Sequence, residues 1–437
     1  MFFSMLSAAL LVGLAELVSS LFGNRIEDGL KLSEDYDSVM EAYSREKFFS
    51  IDNRGASITN KENFLKKRPH PETAEDDVYL PIVFEKDFTP GTEIGTSESD
   101  LTKMYSFPDD YIERNYDKLF AAHMTSVQQK NKRILRAKDW KITKDSCNIE
   151  FESTTTFNSL VTNRAMDYRL DNGVSVRARY EPGPYISTLK ESKLSNNFGG
   201  DCFLITKDNW ILLTVNNRWS IVGKRSVQTP IPYKLYADEL MDKEGKLGKY
   251  LDVDIIVKKA TLDCIFKNRL DPPQKGDNPQ DFADYEQYKK DKRDSENGGP
   301  RAIPGFVNRN IKDVKVIGLY RDLVEGGKPE ATVVARTELT RRELADEFKK
   351  SNSRRHQKDI KKRFKKLLWI YAETDKSKNE YTDYNKKKTK EDSIYEIYID
   401  DNHLACNGRV RPVFLHSAIG LELLRKYLKE KQDSIAK

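Results

Sequence analysis

Cysteine and histidine are both scarce in this 437-residue chain, which has four of the first and five of the second. Cys147, Cys202, Cys264 and Cys406 are widely separated and form no Cys-x-x-Cys pair, and His403 precedes Cys406 without a second ligand pair. This spacing excludes a zinc finger and indicates no disulfide framework. We therefore expect free thiols in a reducing compartment, with Cys202 and Cys264 buried because they lie in apolar runs.

Several catalytic signatures are also absent. The sequence has no Gly-x-Ser-x-Gly elbow, no His-Glu-x-x-His pair and no Cys/His nucleophile signature. Gly326 and Gly327 are not followed by the helix pattern of a P-loop. The histidines are scattered, and we predict no metal or catalytic role for His403 and His416 near the end of the chain. No enzyme class is therefore indicated by a short motif alone.

A strong excess of one charge is missing as well. Lys and Arg number 75 and Asp and Glu 69, so the net charge of +6 does not indicate nucleic acid as a partner. Charged residues make up 33% of the chain and hydrophobic residues 38%, which is typical of a soluble body with a packed core. The length predicts two or three folded units.

Only one long hydrophobic run occurs, at residues 2–23. A helix of this length would roughly cross a hydrocarbon core of about 30 Å. Glu16 and the serines weaken a membrane span, and no basic region precedes the run as in a signal peptide. A membrane anchor is favoured, and a buried or oligomerising soluble helix and a cleaved signal remain as alternatives. An anchor would attach a cytoplasmic domain to the inner or plasma membrane, and a helix–helix contact at Glu16 would imply a homo-oligomer.

Beyond the apolar run at residues 1–23, the sequence pattern divides into two regions. Residues 24–139 show helical periodicity and are predicted as a mainly helical segment. Residues 140–437 contain short strand-like runs, interrupted by polar stretches at 271–305 and 374–392 that we interpret as solvated insertions.

The strand-like runs include two predicted hairpins. Residues 202–206 and 210–215 are joined by a short polar turn, and residues 314–319 and 331–335 by a turn at Gly326-Gly327. This pattern predicts an α+β fold.

Four other segments complete the prediction of secondary structure. The alternation at residues 175–180 and the apolar runs at 253–257 and 262–266 predict further strands. Residues 417–429 have the spacing of an amphipathic C-terminal helix.

The order of these elements carries a family resemblance. The pieces concerned are residues 151–163, residues 189–200 with the hairpin that follows them, residues 316–330 and residues 337–348. In this order they resemble the Nudix superfamily over about residues 150–430. The resemblance implies a mixed β-sheet flanked by helices, here preceded by the N-terminal apolar helix and the helical segment.

The catalytic cassette of the Nudix family is only partly present. In the family it reads G-x5-E-x7-R-E-U-x-E-E-x-G-U, where U is a bulky aliphatic residue, and its carboxylates hold Mg²⁺. Aligned near residues 223–247, this chain keeps Glu239 and Asp242 but has Lys243 at a second acidic position and Pro230 at the upstream one. The resemblance therefore implies a catalytic and metal site at Glu239 and Asp242 that binds Mg²⁺ weakly.

The turn at Gly326-Gly327 is a candidate ligand site. Arg321, Glu325, Lys328 and Glu330 surround it in sequence. The glycines could let backbone N–H groups approach an anion, and Lys328 could contact a phosphate. An ordinary hairpin turn that requires positive φ is the alternative interpretation.

A basic run follows at residues 341–366, where twelve Lys or Arg stand against four Asp or Glu. It is either a solvated helix face or a patch for phosphates on a nucleotide, nucleic acid or anionic lipid, centred on Arg354, Arg355, Lys361 and Lys362. Aromatic residues are sparse within it, so binding to nucleic acid is the least favoured of these.

Three functions follow from these observations. The leading hypothesis is a Nudix-like protein that binds a nucleotide or another phosphorylated small molecule, hydrolyses it weakly or not at all, and is tethered to a membrane. By analogy, such an architecture suits a signal-gated effector of antiviral defence. The first alternative is an active Mg²⁺-dependent pyrophosphohydrolase of nucleoside-diphosphate-linked compounds, which would add Asp252 or Asp254 to the ligands. The second is a membrane-associated scaffold that binds a partner or anionic lipid through the basic run.

The scaffold hypothesis makes a direct prediction. Reversing the charges of Arg354, Arg355, Lys361 and Lys362 to Glu should abolish sedimentation of the protein with anionic vesicles, because each basic group near such a surface contributes about 1 kcal/mol. Neutral vesicles serve as the control, and sedimentation that the substitutions leave unchanged would count against this hypothesis.

Overall fold

The computed structural model describes most of the chain. The described residues are 32–33, 35–67, 72–124, 131–170, 172–216, 225–242, 244–274, 278–296, 302–351, 364–373, 380–382 and 388–435. The apolar run at residues 2–23 and the basic residues Arg354, Arg355, Lys361 and Lys362 lie outside them, so what was expected of these segments stays a prediction. No helix within the described ranges is both long and apolar enough to cross a membrane.

Seventeen strands run through the described chain. They are β1 (Phe48–Asp52), β2 (Asp77–Phe84), β3 (Ile94–Gly95), β4 (Arg133–Ile142), β5 (Cys147–Thr155), β6 (Gly199–Ile205), β7 (Trp210–Asn216), β8 (Val227–Gln228), β9 (Ile231–Lys234), β10 (Ile311–Asp322), β11 (Lys328–Thr337), β12 (Phe364–Tyr371), β13 (Glu380–Thr382), β14 (Lys388–Lys390), β15 (Tyr398–Ile399), β16 (His403–Cys406) and β17 (Arg409–Pro412).

Helices alternate with these strands. The α-helices are α1 (Tyr36–Ala42), α2 (Ile58–Lys67), α3 (Asp110–Met124), α4 (Thr156–Val161), α5 (Val176–Tyr180), α6 (Ala237–Leu240), α7 (Val253–Cys264), α8 (Pro279–Glu296), α9 (Gly305–Asn310), α10 (Arg341–Ser351) and α11 (Leu415–Ile435). Two short 3₁₀ turns lie at Asn163–Ala165 and Lys267–Leu270. The protein is thus an α+β protein, as the sequence predicts.

A mixed nine-stranded sheet forms the centre of the structure. Its main path runs β1-β2-β10-β11-β6-β7-β12, while β8 pairs with β7 and β9 pairs with β6. The pairing of β11 with β6 is parallel, and the other pairs in this sheet are antiparallel. Smaller sheets are formed by β3-β5-β4, by β15-β16-β17 and by β13-β14.

Both faces of the central sheet are buried, as its strand sequences require. All seven residues of β6 are buried, because alternate side chains enter two different cores. Cys202 and Leu204 pack in one core with α7 and the sheet β3-β5-β4. Phe203 and Ile205 point the other way, into a core that is covered by α11.

The predicted hairpins and the C-terminal helix are confirmed. β6 and β7 are antiparallel and are joined through Asn209, which has φ +63°. β10 and β11 pair over their whole length, and α11 covers the predicted residues 417–429. Cys202 and Cys264 are buried, and all four cysteines are free thiols.

The N-terminal region differs from the mainly helical segment that was expected for residues 24–139. β1 and β2 pair with each other, and β2 also pairs with β10, so this region supplies the end of the central sheet. Leu80 and Ile82 of β2 are fully buried in the central sheet, and the pairing partner β10 lies too far away in sequence to be predicted from a local pattern.

Two predicted strand regions are helical. Residues 253–257 and 262–266 fall mostly within α7, where the side chain of Asp252 accepts a hydrogen bond from Ile255 N at 3.0 Å as an N-cap. Ser175 caps α5 in the same way, with Ala178 N as the donor at 3.1 Å. A cap of this kind satisfies backbone donors at the start of a helix, and it decides between helix and strand where a short apolar run does not.

The polar stretch at residues 271–305 also contains more order than expected. It includes α8, whose Asp284 is 8% exposed and accepts a hydrogen bond from Arg309 at 2.6 Å. Arg269 pairs with Asp281 at 2.9 Å. Ion pairs rather than a continuous apolar stripe therefore hold this polar helix against the body.

The contact between α11 and the sheet depends on Gly420. A Cβ atom there would overlap the ring of Phe203, which is fully buried and cannot move aside. We expect Gly420→Ala to lower the free energy of unfolding by about 1–3 kcal/mol, although alanine is the better helix former. Chemical denaturation measures this change.

A double-mutant cycle provides the control. Phe203→Leu makes room for the added methyl group, so the two substitutions together should destabilise less than the sum of their separate effects. Lys429→Ala, at an exposed position of α11, should change stability by less than about 0.5 kcal/mol. Strict additivity of Gly420→Ala and Phe203→Leu would contradict the contact.

Candidate functional site

The turn between β10 and β11 is a buried turn that only glycine fits. Gly326 and Gly327 have φ +67° and +74°, as expected for a turn requiring positive φ. A Cβ on Gly326 would lie 2.5 Å from Leu194, and one on Gly327 would lie 2.5 Å from Ile186. The turn is therefore packed against the body rather than free in solvent.

Polar side chains line one face of the sheet beside this turn. Lys234, Gly199, Glu330 and Tyr320 are successive cross-strand partners on β9, β6, β11 and β10. Because cross-strand partners share a face, these residues form one row. Gly199 contributes no side chain, so the row has a gap between Lys234 and Glu330.

Six charged groups meet at the end of this row, under the first turn of α11. We call them the buried charge cluster: Arg164, Asp322, Glu325, Lys328, Glu330 and His416. All but Arg164 are at most 5% exposed.

The cluster is held by direct ion pairs. His416 Nε2 donates to Asp322 Oδ2 at 2.7 Å. Glu325 Oε1 lies 3.0 Å from a guanidinium nitrogen of Arg164, and Glu325 Oε2 lies 3.2 Å from Lys328 Nζ. Lys328 Nζ also donates to Glu330 Oε1. Charges removed from water require such partners, since an unpaired one would be strongly destabilising.

The ion pairs shift the protonation equilibria of the cluster. Burial opposes ionisation of Glu325, but the neighbouring cations, Arg164 first among them, lower its pKa to about 2. Burial alone would lower the pKa of His416, but its hydrogen bond to Asp322 and the nearby charge of Glu330 raise it to about 9. Carboxylates likewise raise the pKa of Lys328 against the effect of burial. Glu325, Lys328 and His416 are therefore charged near neutral pH.

Two cations lie where the cluster approaches solvent. The side chain of Arg164 is 24% exposed, and Lys234 is exposed at the end of β9. Lys234 has access to water yet is partly desolvated by the surrounding protein. Desolvation and the nearby cations Arg164 and Lys328 lower the pKa of Lys234 to about 8. An anion at this edge would relieve the repulsion among these cations.

Two buried hydroxyl groups on this face are unsatisfied. Tyr320 and Thr332 are fully buried, and neither hydroxyl has a hydrogen-bond partner among the described residues. After burial itself, the charges of Glu330 and Asp201 contribute most to raising the pKa of Tyr320, which places its hydroxyl beside the cluster. A buried hydroxyl without a partner costs about 1–3 kcal/mol, so such groups commonly mark a place for a ligand, water or ion.

Three of the four predicted ligand residues meet in the cluster, and the fourth does not. Glu325, Lys328 and Glu330 belong to it, but Arg321 lies on the opposite face of β10. Its guanidinium donates to the carbonyl of Gly327 and, at 3.1 Å, to that of Ser187. Burial lowers the pKa of Arg321 to about 10. Arg321 therefore stabilises the turn by donating hydrogen bonds to backbone carbonyls.

The two carboxylates of the predicted cassette have local partners. Glu239 lies on α6, and its carboxylate is 3.8 Å from Lys259 Nζ. Asp242 is exposed and accepts hydrogen bonds from the backbone of Glu244 and Lys246, each at 2.9 Å. Within the described part of the chain, neither residue belongs to a group of three potential metal ligands. Their assignment to a weak Mg²⁺ site stays a prediction.

His416 and Arg164 were missed as site residues by the sequence reasoning. Asp322, Glu325 and His416 each offer a ligand atom, and these atoms lie within 4.8 Å of one another. His416 comes from α11, almost a hundred residues after Asp322, so spacing gives no signal for it. A usable signal was the position of a lone histidine in the apolar first turns of the amphipathic C-terminal helix.

Comparison of the chain with protein-family models and with curated proteins finds no match.

The raised pKa of His416 predicts how stability depends on pH. The folded value of about 9 exceeds the ordinary value of 6.5, so the ion pair with Asp322 stabilises fully below pH 6.5 and is lost as the pH rises through 9. This loss amounts to about 3 kcal/mol. The free energy of unfolding of the native protein should exceed that of His416→Gln below pH 6.5, and this difference should shrink by about 3 kcal/mol as the pH rises through 9. Urea unfolding with a chelator present measures both free energies.

The same titration with His403→Gln is the control, because His403 lies outside the cluster and its replacement should keep the native profile. A difference between native protein and His416→Gln that stays constant from pH 6 to pH 10 would contradict the ion pair.

Proposed function

We propose that this protein is a Nudix-like protein that binds a nucleotide or a similar phosphorylated small molecule at the open edge of the buried charge cluster. One observation carries the proposal: Arg164 and Lys234 stand at the accessible edge of a cluster that contains Glu325, Lys328 and Glu330. Phosphate oxygens are the natural partners of such cations.

The two cations at the edge differ in how far nearby carboxylates neutralise their charge. Arg164 has an ion-pair partner in Glu325, whereas Lys234 lies near both charges of the same sign and carboxylates, with a pKa lowered to about 8. A phosphate beside Lys234 would restore its full positive charge and replace part of the water it has lost. Binding energy at this edge would therefore come mainly from Lys234, with Arg164 as a second contact.

The close packing at Gly199 keeps the ligand at the edge of the sheet. A Cβ atom there would lie 3.0 Å from the carbonyl oxygen of Tyr233 and 3.7 Å from Glu330 Oε2. A side-chain atom at this position would already be crowded, so a phosphate would bind beside Lys234 and Arg164 at the edge and would not enter the row.

The proposed protein turns its ligand over weakly or not at all. Glu239 is engaged by Lys259, and Asp242 is engaged by the backbone of its own turn. A hard dication such as Mg²⁺ needs several converging oxygen ligands, and two carboxylates with local partners supply few of them. The alternative of an active pyrophosphohydrolase would require these side chains to leave their partners.

The wider biological assignment rests on the sequence. The Nudix-like identification is consistent with a mixed sheet that carries helices on both faces, and the membrane tether and the homo-oligomer rest on residues 2–23 alone. A tethered nucleotide-binding domain would respond to a soluble signal at a membrane surface, as an effector of antiviral defence would.

A panel of ligands tests the proposal on the full-length chain. Nucleoside mono-, di- and triphosphates and dinucleotides should raise the melting temperature, whereas the matching unphosphorylated nucleosides should not. Lys234→Met should weaken the best ligand about 10- to 100-fold, because a hydrogen bond to a charged group contributes about 1.5–3 kcal/mol. Calorimetric titration measures this affinity.

Matched controls separate binding from turnover. Lys246→Met removes an exposed lysine that pairs with Glu244 and should leave affinity unchanged. Phosphate release in the presence of Mg²⁺, lost in Glu239→Gln, would instead support the pyrophosphohydrolase. The binding proposal fails if no phosphorylated ligand stabilises the protein, or if Lys234→Met binds as tightly as the native chain.

A further inference from the structure

The buried charge cluster contains a set of side chains with the chemistry of a metal site. We propose that Asp322, Glu325 and His416 bind a divalent transition-metal ion such as Zn²⁺. Their ligand atoms lie within 4.8 Å of one another, and all three residues are at most 5% exposed. The site is distinct from the weak Mg²⁺ site predicted at Glu239 and Asp242.

The geometry requires only small side-chain movements. Metal–ligand bonds of about 2.0 Å in a tetrahedron place ligand atoms roughly 3.3 Å apart. The pair His416 Nε2 and Asp322 Oδ2, now 2.7 Å apart, would have to open slightly, and Glu325 would have to approach them. The terminal torsions of the two carboxylates are soft, which favours such an adjustment.

A second observation points to a missing ligand at this place. The Tyr320 hydroxyl is fully buried and has no hydrogen-bond partner among the described residues. The Tyr320 ring packs edge-on against His416 at a centroid distance of 6.1 Å, and Asp322 is among the charges that act on the hydroxyl. Water or a substrate atom in the fourth coordination position of a metal would give this hydroxyl a partner.

The charge of the region matches a dication. Four buried carboxylates lie on this side of the sheet: Asp201, Asp322, Glu325 and Glu330. Arg164, Lys328 and Lys234 lie among these carboxylates, and protonated His416 supplies a further positive charge through its ion pair with Asp322. A histidine that binds metal is neutral, so binding would release this proton and the dication would take over the compensation of Asp322.

The ligand set selects the class of metal. One imidazole nitrogen and two carboxylate oxygens suit Zn²⁺ and neighbouring first-row ions, whereas Mg²⁺ and Ca²⁺ prefer a shell made of oxygen. Three protein ligands leave a fourth position open, which is typical of reactive rather than purely structural zinc sites.

The chain offers an internal control for this proposal. Asp400, Asp401 and His403 form the other group of potential metal ligands within the described residues, and Asp401 and His403 are only partly buried. They lie at the turn that leads into β16, where Asp400 N donates to the His403 carbonyl at 2.8 Å. Adventitious binding by surface carboxylates and imidazoles would favour this more accessible group.

Cobalt provides the probe. The full-length chain, stripped of metal with a chelator and free of nucleotide, is titrated with Co²⁺ while the visible d–d absorption is recorded. We expect one equivalent to bind with the intense bands of low-coordinate Co²⁺ and Zn²⁺ to displace it. His416→Gln and Glu325→Gln should each weaken binding by at least about 100-fold, more than the loss of a neighbour that only orients a ligand. His403→Gln should leave binding unchanged.

Each outcome decides the proposal. Absence of a bound equivalent, or binding that is lost only in His403→Gln, would overturn it. Because replacing a buried histidine can also unfold the chain, crystals of the native protein soaked with Co²⁺ give an independent answer: an anomalous peak between Asp322 and His416 supports the site, and a peak elsewhere refutes it. No nucleotide is present, so failure here leaves the proposed phosphate binding untouched.

Discussion

The mutual compensation of buried charges beneath α11 is the constraint on which the site depends. Each carboxylate there has been removed from water and has a cation beside it, and Glu325 stays ionised because Arg164 lies 3.0 Å away. The glycine turn makes this possible, since it returns the chain so tightly that Lys328 faces Asp322 across the hairpin. His416 then joins the first turn of α11 to the end of β10.

Local features of this site were predictable from the sequence. The glycine pair between two apolar runs indicates a hairpin, and charged residues on one face of its two strands lie close together. The prediction that Arg321 belongs to the ligand site was avoidable, because side chains alternate between the two faces along a strand. Arg321 lies one position from Asp322 and so points to the opposite face, where it holds the carbonyls of Gly327 and Ser187.

The remaining features depend on contacts that local patterns do not encode. Arg164, Lys234 and His416 reach the cluster from three separate parts of the chain, and only the parallel pairing of β6 with β11 brings Lys234 near Glu330. The apolar runs within α7 fit a strand or a helix equally well, and the N-cap at Asp252 decided between them. The end of the sheet was missed because β2 pairs with a distant strand rather than with a neighbour in sequence.

That distant pairing has a consequence for the newly made chain. β2 pairs with β10, which is synthesised more than two hundred residues later. The hydrogen-bonding edge of β2 therefore stays unpaired for about tens of seconds during synthesis. An open edge of this kind is a template for pairing with other chains. The β1–β2 pair would therefore be open to pairing with other chains until β10 has been made.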